Sequence, residues 1–229
     1  MQALIILQRQ PLREQDWLLD VFSSQRGRLS LVLNRPQTVP DLFTLYQGDW
    51  QPAQDWPALK GWHRQQTWPL QDTALFCGFY LNELLVKLLP RHEPQPALFA
   101  TYQATLNGLH NSPVADPWLR LFEVQLLTQL GYGFSWQQDS SGQPLQAGQY
   151  YRFVPGQGFS PAASGLAGAD LLAFASGANA LPLWRLARAV LRQALDHVLQ
   201  QPLLSRELLL PARAAGTPTA ADAATGRLP

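Results

Sequence analysis

The chain has 229 residues, 46% of them hydrophobic, enough apolar side chains for a packed core, which excludes a globally disordered chain. Its 17 Lys and Arg stand against 16 Asp and Glu, a formal charge of +1, so there is no global basic field to hold nucleic acid by charge alone. One cysteine, Cys77, excludes an internal disulfide and a cysteine-based zinc site, and no uninterrupted apolar run approaches the length of a membrane span.

The N-terminus, MQALIILQRQ, lacks a basic lead and a small-residue cleavage site. It reads as a first strand rather than a signal peptide, which fits a cytoplasmic protein. Residues 2–8, 16–24 and 28–34 are apolar and β-prone, and the turn Ser24-Gln25-Arg26-Gly27 makes a hairpin of the second and third. Weaker strand signals lie near Thr44–Trp50 and from Gly61 to Trp68. Five short strands without a long helix predict a small β-barrel such as an OB-fold over 1–70, with an open sheet packed on the following helices as the alternative. Trp50, Trp56, Trp62 and Trp68 fall six apart, but Pro52, Pro57 and Pro69 interrupt any repeat. Core packing is their first reading; stacking on bases is the second.

Residues 71–134 carry the longest helical signals. In Thr73–Leu89, Leu75, Phe76, Phe79, Tyr80 and Leu84 recur at helical spacing, with Asp72 at the cap position. A second helix is expected near Pro96–Leu109. In Pro117–Gly133, Leu119, Phe122, Leu126, Leu127 and Leu130 form the stripe, Asp116 and Pro117 the start, and Gly131 and Gly133 the stop. Short connections predict a three-helix antiparallel bundle. Cys77 sits inside an apolar face and reads as a small buried hydrophobe.

From residue 135 the chain turns polar, then Tyr150–Val154 and Gly158–Ser160 flank a hairpin turn at Pro155-Gly156-Gln157. A short helix is expected around Ala169–Ala175 and a long amphipathic one over 182–200. Leu183, Leu186, Val190, Leu191, Leu195, Val198 and Leu199 would face inward, and Arg185, Arg188 and Arg192 outward. Residues 135–211 make a small C-terminal lobe. The stretch 212–229 has no aromatic anchor or apolar period and reads as disordered.

No catalytic constellation emerges. His63, His92, His110 and His197 are scattered, and no zinc-protease, nucleophile-elbow or phosphate-loop pattern is present. The residues therefore point to binding rather than to an enzyme. Arg26, Arg28, Arg35, Lys60 and Arg64 suit one phosphate-binding edge of a barrel, and the Arg185/Arg188/Arg192 row suits a second. Arg120 projects from the most apolar helix and is placed to grip a carboxylate beside an apolar groove.

Several words of the chain occur in the order of one known family. They are Leu19-Asp20-Val21-Phe22 with Gly27-Arg28-Leu29, Tyr80-Leu81-Asn82-Glu83-Leu84-Leu85, and Phe122-Glu123 with Leu130-Gly131-Tyr132-Gly133. The Tyr151-Arg152-Phe153 to Gly158-Phe159 hairpin and Ser205-Arg206-Glu207-Leu208 follow. With these the chain resembles the bacterial RecO family of recombination mediators, to about residue 210. The resemblance implies an α+β multidomain fold: an OB-fold barrel, a helical bundle and a C-terminal lobe that holds zinc in many members. It implies a DNA repair and recombination function in the RecF pathway, with binding of single- and double-stranded DNA, strand annealing, and RecA loading with RecR. It also implies docking of the acidic, apolar tail of single-strand DNA-binding protein on the helical domain, with Arg120 and Val124 as the matching site. The C-terminal lobe here lacks paired cysteines, so no metal is expected, and no cofactor. The loop after Leu33, Asn34-Arg35-Pro36-Gln37-Thr38-Val39-Pro40, is shorter and less basic than in relatives, and the first-strand Arg-Pro of relatives is Gln10-Pro11, with Glu14 retained. An adaptor with weakened DNA binding is the alternative reading.

Overall fold

The structure is a computed structural model that describes residues 1–13, 15–53, 56–199 and 201–206. Glu14, Glu207, Leu208 and the stretch 212–229 lie outside the described residues.

Five strands, β1 (Gln2–Pro11), β2 (Trp17–Ser23), β3 (Gly27–Leu33), β4 (Thr44–Gln51) and β5 (Ala58–Thr67), close into an OB-like barrel in the order β1-β2-β3-β5-β4. The open-sheet alternative is excluded by the β1–β4 pairing, Gln2↔Gly48 through Ile5↔Leu45. The run Leu4-Ile5-Ile6-Leu7 is apolar throughout because both faces of β1 are covered. Leu4 and Ile6 fill the barrel, while Ile5 and Leu7 join the core of the helices. The β2–β3 turn needs Gly27: its φ is 67°, and a Cβ there would lie 1.9 Å from the Glu93 carbonyl oxygen.

Three helices follow: α1 (Asp72–Leu88), α2 (Pro96–Asn111) and α3 (Asp116–Gln129). α1 and α3 start one residue before the sequence reading, and α2 starts at Pro96 as read. Gln71 and Ala115 occupy the N-cap positions, without side-chain cap bonds. The Asp116 carboxylate is instead taken by Arg188, which removes it from capping. Gly131, with φ 81°, ends α3 as expected; Tyr132 N donates to Leu127 O at 2.8 Å and Gly131 N to Thr128 O at 3.1 Å.

The C-terminal lobe holds β6 (Tyr150–Val154), β7 (Gly158–Ala162), β8 (Leu166–Ala167), α4 (Gly168–Ala175) and α5 (Leu181–Val198). The two-residue β8 pairs with β6 through Tyr150↔Ala167 and Tyr151↔Leu166, a strand too short to leave a period in the sequence. An aromatic cluster fills the lobe. Phe134 and Phe153 lie 4.7 Å apart, Trp136 and Phe174 4.3 Å, and Phe174 and Trp184 5.6 Å. Trp184 was not among the inward-facing residues expected on α5, yet it is buried, and its Nε1 donates to Asn179 Oδ1 at 2.8 Å. One apolar core runs from Ile5 and Phe22 of the barrel through all three helices to Leu195 of α5.

Candidate functional site

The middle of α1 positions the site. Tyr80, Asn82 and Glu83 point at three different neighbours. Asn82 donates from Nδ2 to Leu7 O of β1 at 2.8 Å and accepts from the Tyr102 hydroxyl of α2, so one buried amide ties barrel and bundle together. Glu83 accepts from Leu204 N (2.9 Å), Ser205 N (2.8 Å) and Ser205 Oγ (2.6 Å), and Lys87 donates to Pro202 O at 2.7 Å. These bonds hold residues 202–206 against α1 as a strap. Tyr80 donates to Glu123 of α3 at 2.7 Å.

Between α1, the α2–α3 connection, α3, α5 and the strap lies a groove of about 450 Å³. Its walls are apolar at Cys77, Leu109, Val114 and Leu119. Four guanidinium groups reach it: Arg120, Arg188, Arg192 and Arg206. They are wired to carboxylates. Arg120 Nη2 donates to Glu123 at 2.7 Å, Arg188 pairs with Asp116, and Arg206 pairs with Asp196, which also faces Arg192 at 3.8 Å.

Arg120 is 4% exposed. It stands in the groove's inner wall. Its Nε, itself buried, finds no hydrogen-bond partner among the described residues, which leaves one donor of a buried cation unsatisfied. Burial pushes the Glu123 carboxyl above the ordinary glutamate range, against the pull of the Arg120 charge. Burial also raises the Tyr80 hydroxyl, helped by the Glu123 charge. Val124, the other residue expected at this site, is half-buried against the bundle core and does not line the groove.

The expected row on α5 divides. Arg185 is exposed, whereas Arg188 is half-buried and faces the groove, and Arg192 lies at its mouth. The row is therefore not one outer face. The barrel cations are not one edge either. Arg26, in the β2–β3 turn, and Arg35, past the end of β3, lie at opposite ends of a seven-residue strand, about 23 Å apart or more. Arg28 is committed: it binds Asp20 through Nη2 at 2.8 Å and caps the α1 C-terminus through Leu89 O at 3.3 Å. Arg64 pairs with Asp41 at 3.1 Å, while Lys60 is exposed on β5. Of the tryptophans, Trp68 is buried, Trp50 and Trp62 are half-buried on the barrel core, and Trp56 is exposed.

Arg206, Glu123 and Asp116 were not read as site residues. Glu123 carried a signal, a carboxylate three residues after Arg120 within an otherwise apolar helix face. Arg206 carried only its place in the Ser205-Arg206-Glu207-Leu208 word, which says nothing of a groove, since only the strap brings it there. Among the described residues no group of three or more His, Cys, Asp or Glu is placed to hold a metal ion, and no helix is long and apolar enough to cross a membrane.

Comparison with known proteins adds a family. The model for the recombination protein O C-terminal region matches residues 72–207. A DNA repair protein RecO of Pseudomonas paraeruginosa is 37% identical over 223 residues, covering 91% of this chain and 94% of that protein. The protein of the same name from Stutzerimonas stutzeri is 38% identical over 221 residues, covering 91% and 93%. That from Nitrosospira multiformis is 34% identical over 240 residues, again covering 91% and 93%.

Proposed function

Because the chain belongs to the RecO family of DNA repair proteins, we propose that it is a mediator of DNA repair and recombination in the RecF pathway. In this reading it binds single- and double-stranded DNA in the cytoplasm, anneals complementary strands and, with RecR, helps to load RecA. Exposed Arg26, Arg35, Lys60 and Arg185 contact backbone phosphates, while Arg28 and Arg64 brace the barrel through their carboxylate partners. The groove receives the acidic, apolar tail of single-strand DNA-binding protein. Arg120 meets a carboxylate, Arg188, Arg192 and Arg206 face the acidic residues, and Leu109, Val114 and Leu119 take the apolar side chains. Val124 supports this wall from the bundle core. The observation that carries the reading is the convergence of four guanidinium groups and an apolar wall on one groove. Binding and charge neutralisation suffice for annealing, without bond chemistry or a nucleotide.

The test is the anisotropy of a labelled single-stranded oligonucleotide at two salt concentrations, with an Arg26→Ala/Arg35→Ala/Lys60→Ala variant and an Arg185→Ala variant alongside. Wild-type binding should weaken steeply with salt. Each lost phosphate contact should lower the log–log slope by about 0.7. Wild-type protein that fails to bind at low salt would remove the annealing role.

One observation favours a second reading, an adaptor that recruits RecR and the single-strand binder with little direct grip on DNA. Four of the eight cations first assigned to DNA, Arg28, Arg64, Arg188 and Arg192, stand in ion pairs. Retained tail binding with absent oligonucleotide binding would select it.

A further inference from the structure

The four groove arginines stand against three carboxylates. Arg120 pairs with Glu123, Arg188 with Asp116 and Arg206 with Asp196, which Arg192 also approaches at 3.8 Å, so the set carries a net +1. The pairs differ in how far water screens them. The Arg192 and Asp196 side chains are 67% and 50% exposed, and that pair can part for a ligand at little cost. Those of Arg120 and Glu123 are 5% and 2% exposed. Glu123 Oε1 accepts from Arg120 Nη2 and from the Tyr80 hydroxyl, each at 2.7 Å. Arg120 Nη1 lies 4.0 Å from Asp116 Oδ1, beyond hydrogen-bond reach.

A ligand carboxylate brought to this wall meets a guanidinium whose charge is already balanced. Two carboxylates on one buried cation repel, and a proton on one of them relieves the repulsion. Glu123 is the one that takes it, because burial has stripped its water while a ligand carboxylate in an open groove keeps part of its own. The other charged or titratable groups around it are Tyr80 on α1, Asp116 and Arg120 on α3, Arg188 and Arg192 on α5, and Arg206 on the strap; α2 and the α2–α3 connection add no charge to the lining. The arginines stay charged, and burial keeps the Tyr80 hydroxyl protonated. Asp116 is more exposed than Glu123 and has Arg188 as its partner. A protonated Glu123 still accepts from Tyr80 and Arg120 through Oε1, so the wall keeps its bonds.

We propose that Glu123 sets the groove's affinity for anions: its carboxylate competes with the ligand's for Arg120, and the ligand is bound with uptake of a proton by Glu123. The inference rests on the docking reading above for the acidic peptide as ligand; the competition for Arg120 applies to any anion. The upward displacement of the Glu123 carboxyl by burial agrees with it. Linkage fixes the sign. A ligand that favours protonated Glu123 binds more tightly as pH falls, by up to about 10-fold per pH unit for one proton.

The test uses the full chain and a fluorescein-labelled peptide, Asp-Asp-Glu-Leu-Leu-Leu, with a free carboxylate. Its affinity is measured by anisotropy at fixed ionic strength from about pH 8 to 5.5 for wild type, Glu123→Gln and Asp116→Asn. Wild type should bind more tightly as pH falls. Glu123→Gln should bind about 10-fold more tightly than wild type at pH 8 and lose the pH dependence, and Asp116→Asn should keep it. A second measurement needs no peptide: infrared difference spectra titrate the Glu123 carboxyl, and sulfate, with ionic strength held by chloride, should raise the midpoint. Should Glu123→Gln fail to fold, Tyr80→Phe, which removes a bond to the ionised carboxylate, should move the wild-type pH dependence to higher pH. Peptide binding that is flat in pH, or weaker in Glu123→Gln than in wild type at pH 8, would overturn the proposal. No peptide binding together with a midpoint raised by sulfate would sustain the proton coupling and remove the docking reading. No peptide binding and an unmoved midpoint would overturn both.

Discussion

Glu83 accepts four hydrogen-bond donors from the strap and from its own helix. Burial alone would push its carboxyl up, but the bonds from Ser205 Oγ, Ser205 N, Leu204 N and Lys87 outweigh it and hold the group below the ordinary glutamate value. A carboxylate depressed in the folded state stabilises fully above its unfolded pKa, near 4.3, and that contribution is lost as pH falls through the folded pKa. Replacing Glu83 with Gln should therefore cost about 2 kcal/mol at pH 7. The difference from wild type, read by urea unfolding, should shrink as the pH is lowered from about 5 to 3. A difference that stays constant with pH would mean that the charge does not hold the strap. At this scale the sequence was partly legible. The Tyr80-Leu81-Asn82-Glu83 word stood out, but its three polar residues serve three separate neighbours, all of them remote in sequence. Spacing along a helix cannot reveal a partner 122 residues away.

Elements were more legible than the contacts between them. The alternation and apolar runs of the strands, and the period of the helices, follow from burial on one face or two, and burial is written in residue type. What failed was the reading of charged residues on those elements. Arg188 is expected outward because cations usually are, yet Asp116 draws it inward. The packing of α2 on α3 gives the sharpest test at this scale. Gly108 lies against the ring of Trp118, and a Cβ there would come within 2.1 Å of it. The helix itself would favour alanine, but the close approach forbids it. Gly108→Ala should destabilise the protein by about 1–3 kcal/mol, against the propensity trend, and thermal unfolding would measure it. A neutral or stabilising result would mean that Trp118 swings away without cost.

For the molecule as a whole, the decisive fact is the continuity of the apolar core from barrel to lobe. Leu7, Phe22 and Phe43 of the barrel side, Leu81 and Leu85 of α1, and Leu191 of α5 belong to one cluster. Regions that share a core unfold together. Far-UV circular dichroism, weighted to the helices, and tryptophan emission, weighted to the barrel and lobe, should therefore give coincident urea transitions. Separate transitions would show that the barrel melts alone. The sequence suggested three units in a row; it could not show how much apolar surface they share, because that depends on which face of β1 each residue of Leu4–Leu7 takes once the barrel closes.

That arrangement of α1 also has a mechanical consequence. Tension applied between the two ends of the described chain enters through β1, crosses from the Leu7 carbonyl into Asn82, and leaves one residue later through Glu83 into Ser205. The load path thus bypasses α2, α3 and the aromatic lobe. Under a pull the strap, held by a few bonds loaded in sequence, should detach first, while the barrel, whose β1 is clamped on both sides by β2 and β4, should carry load longest.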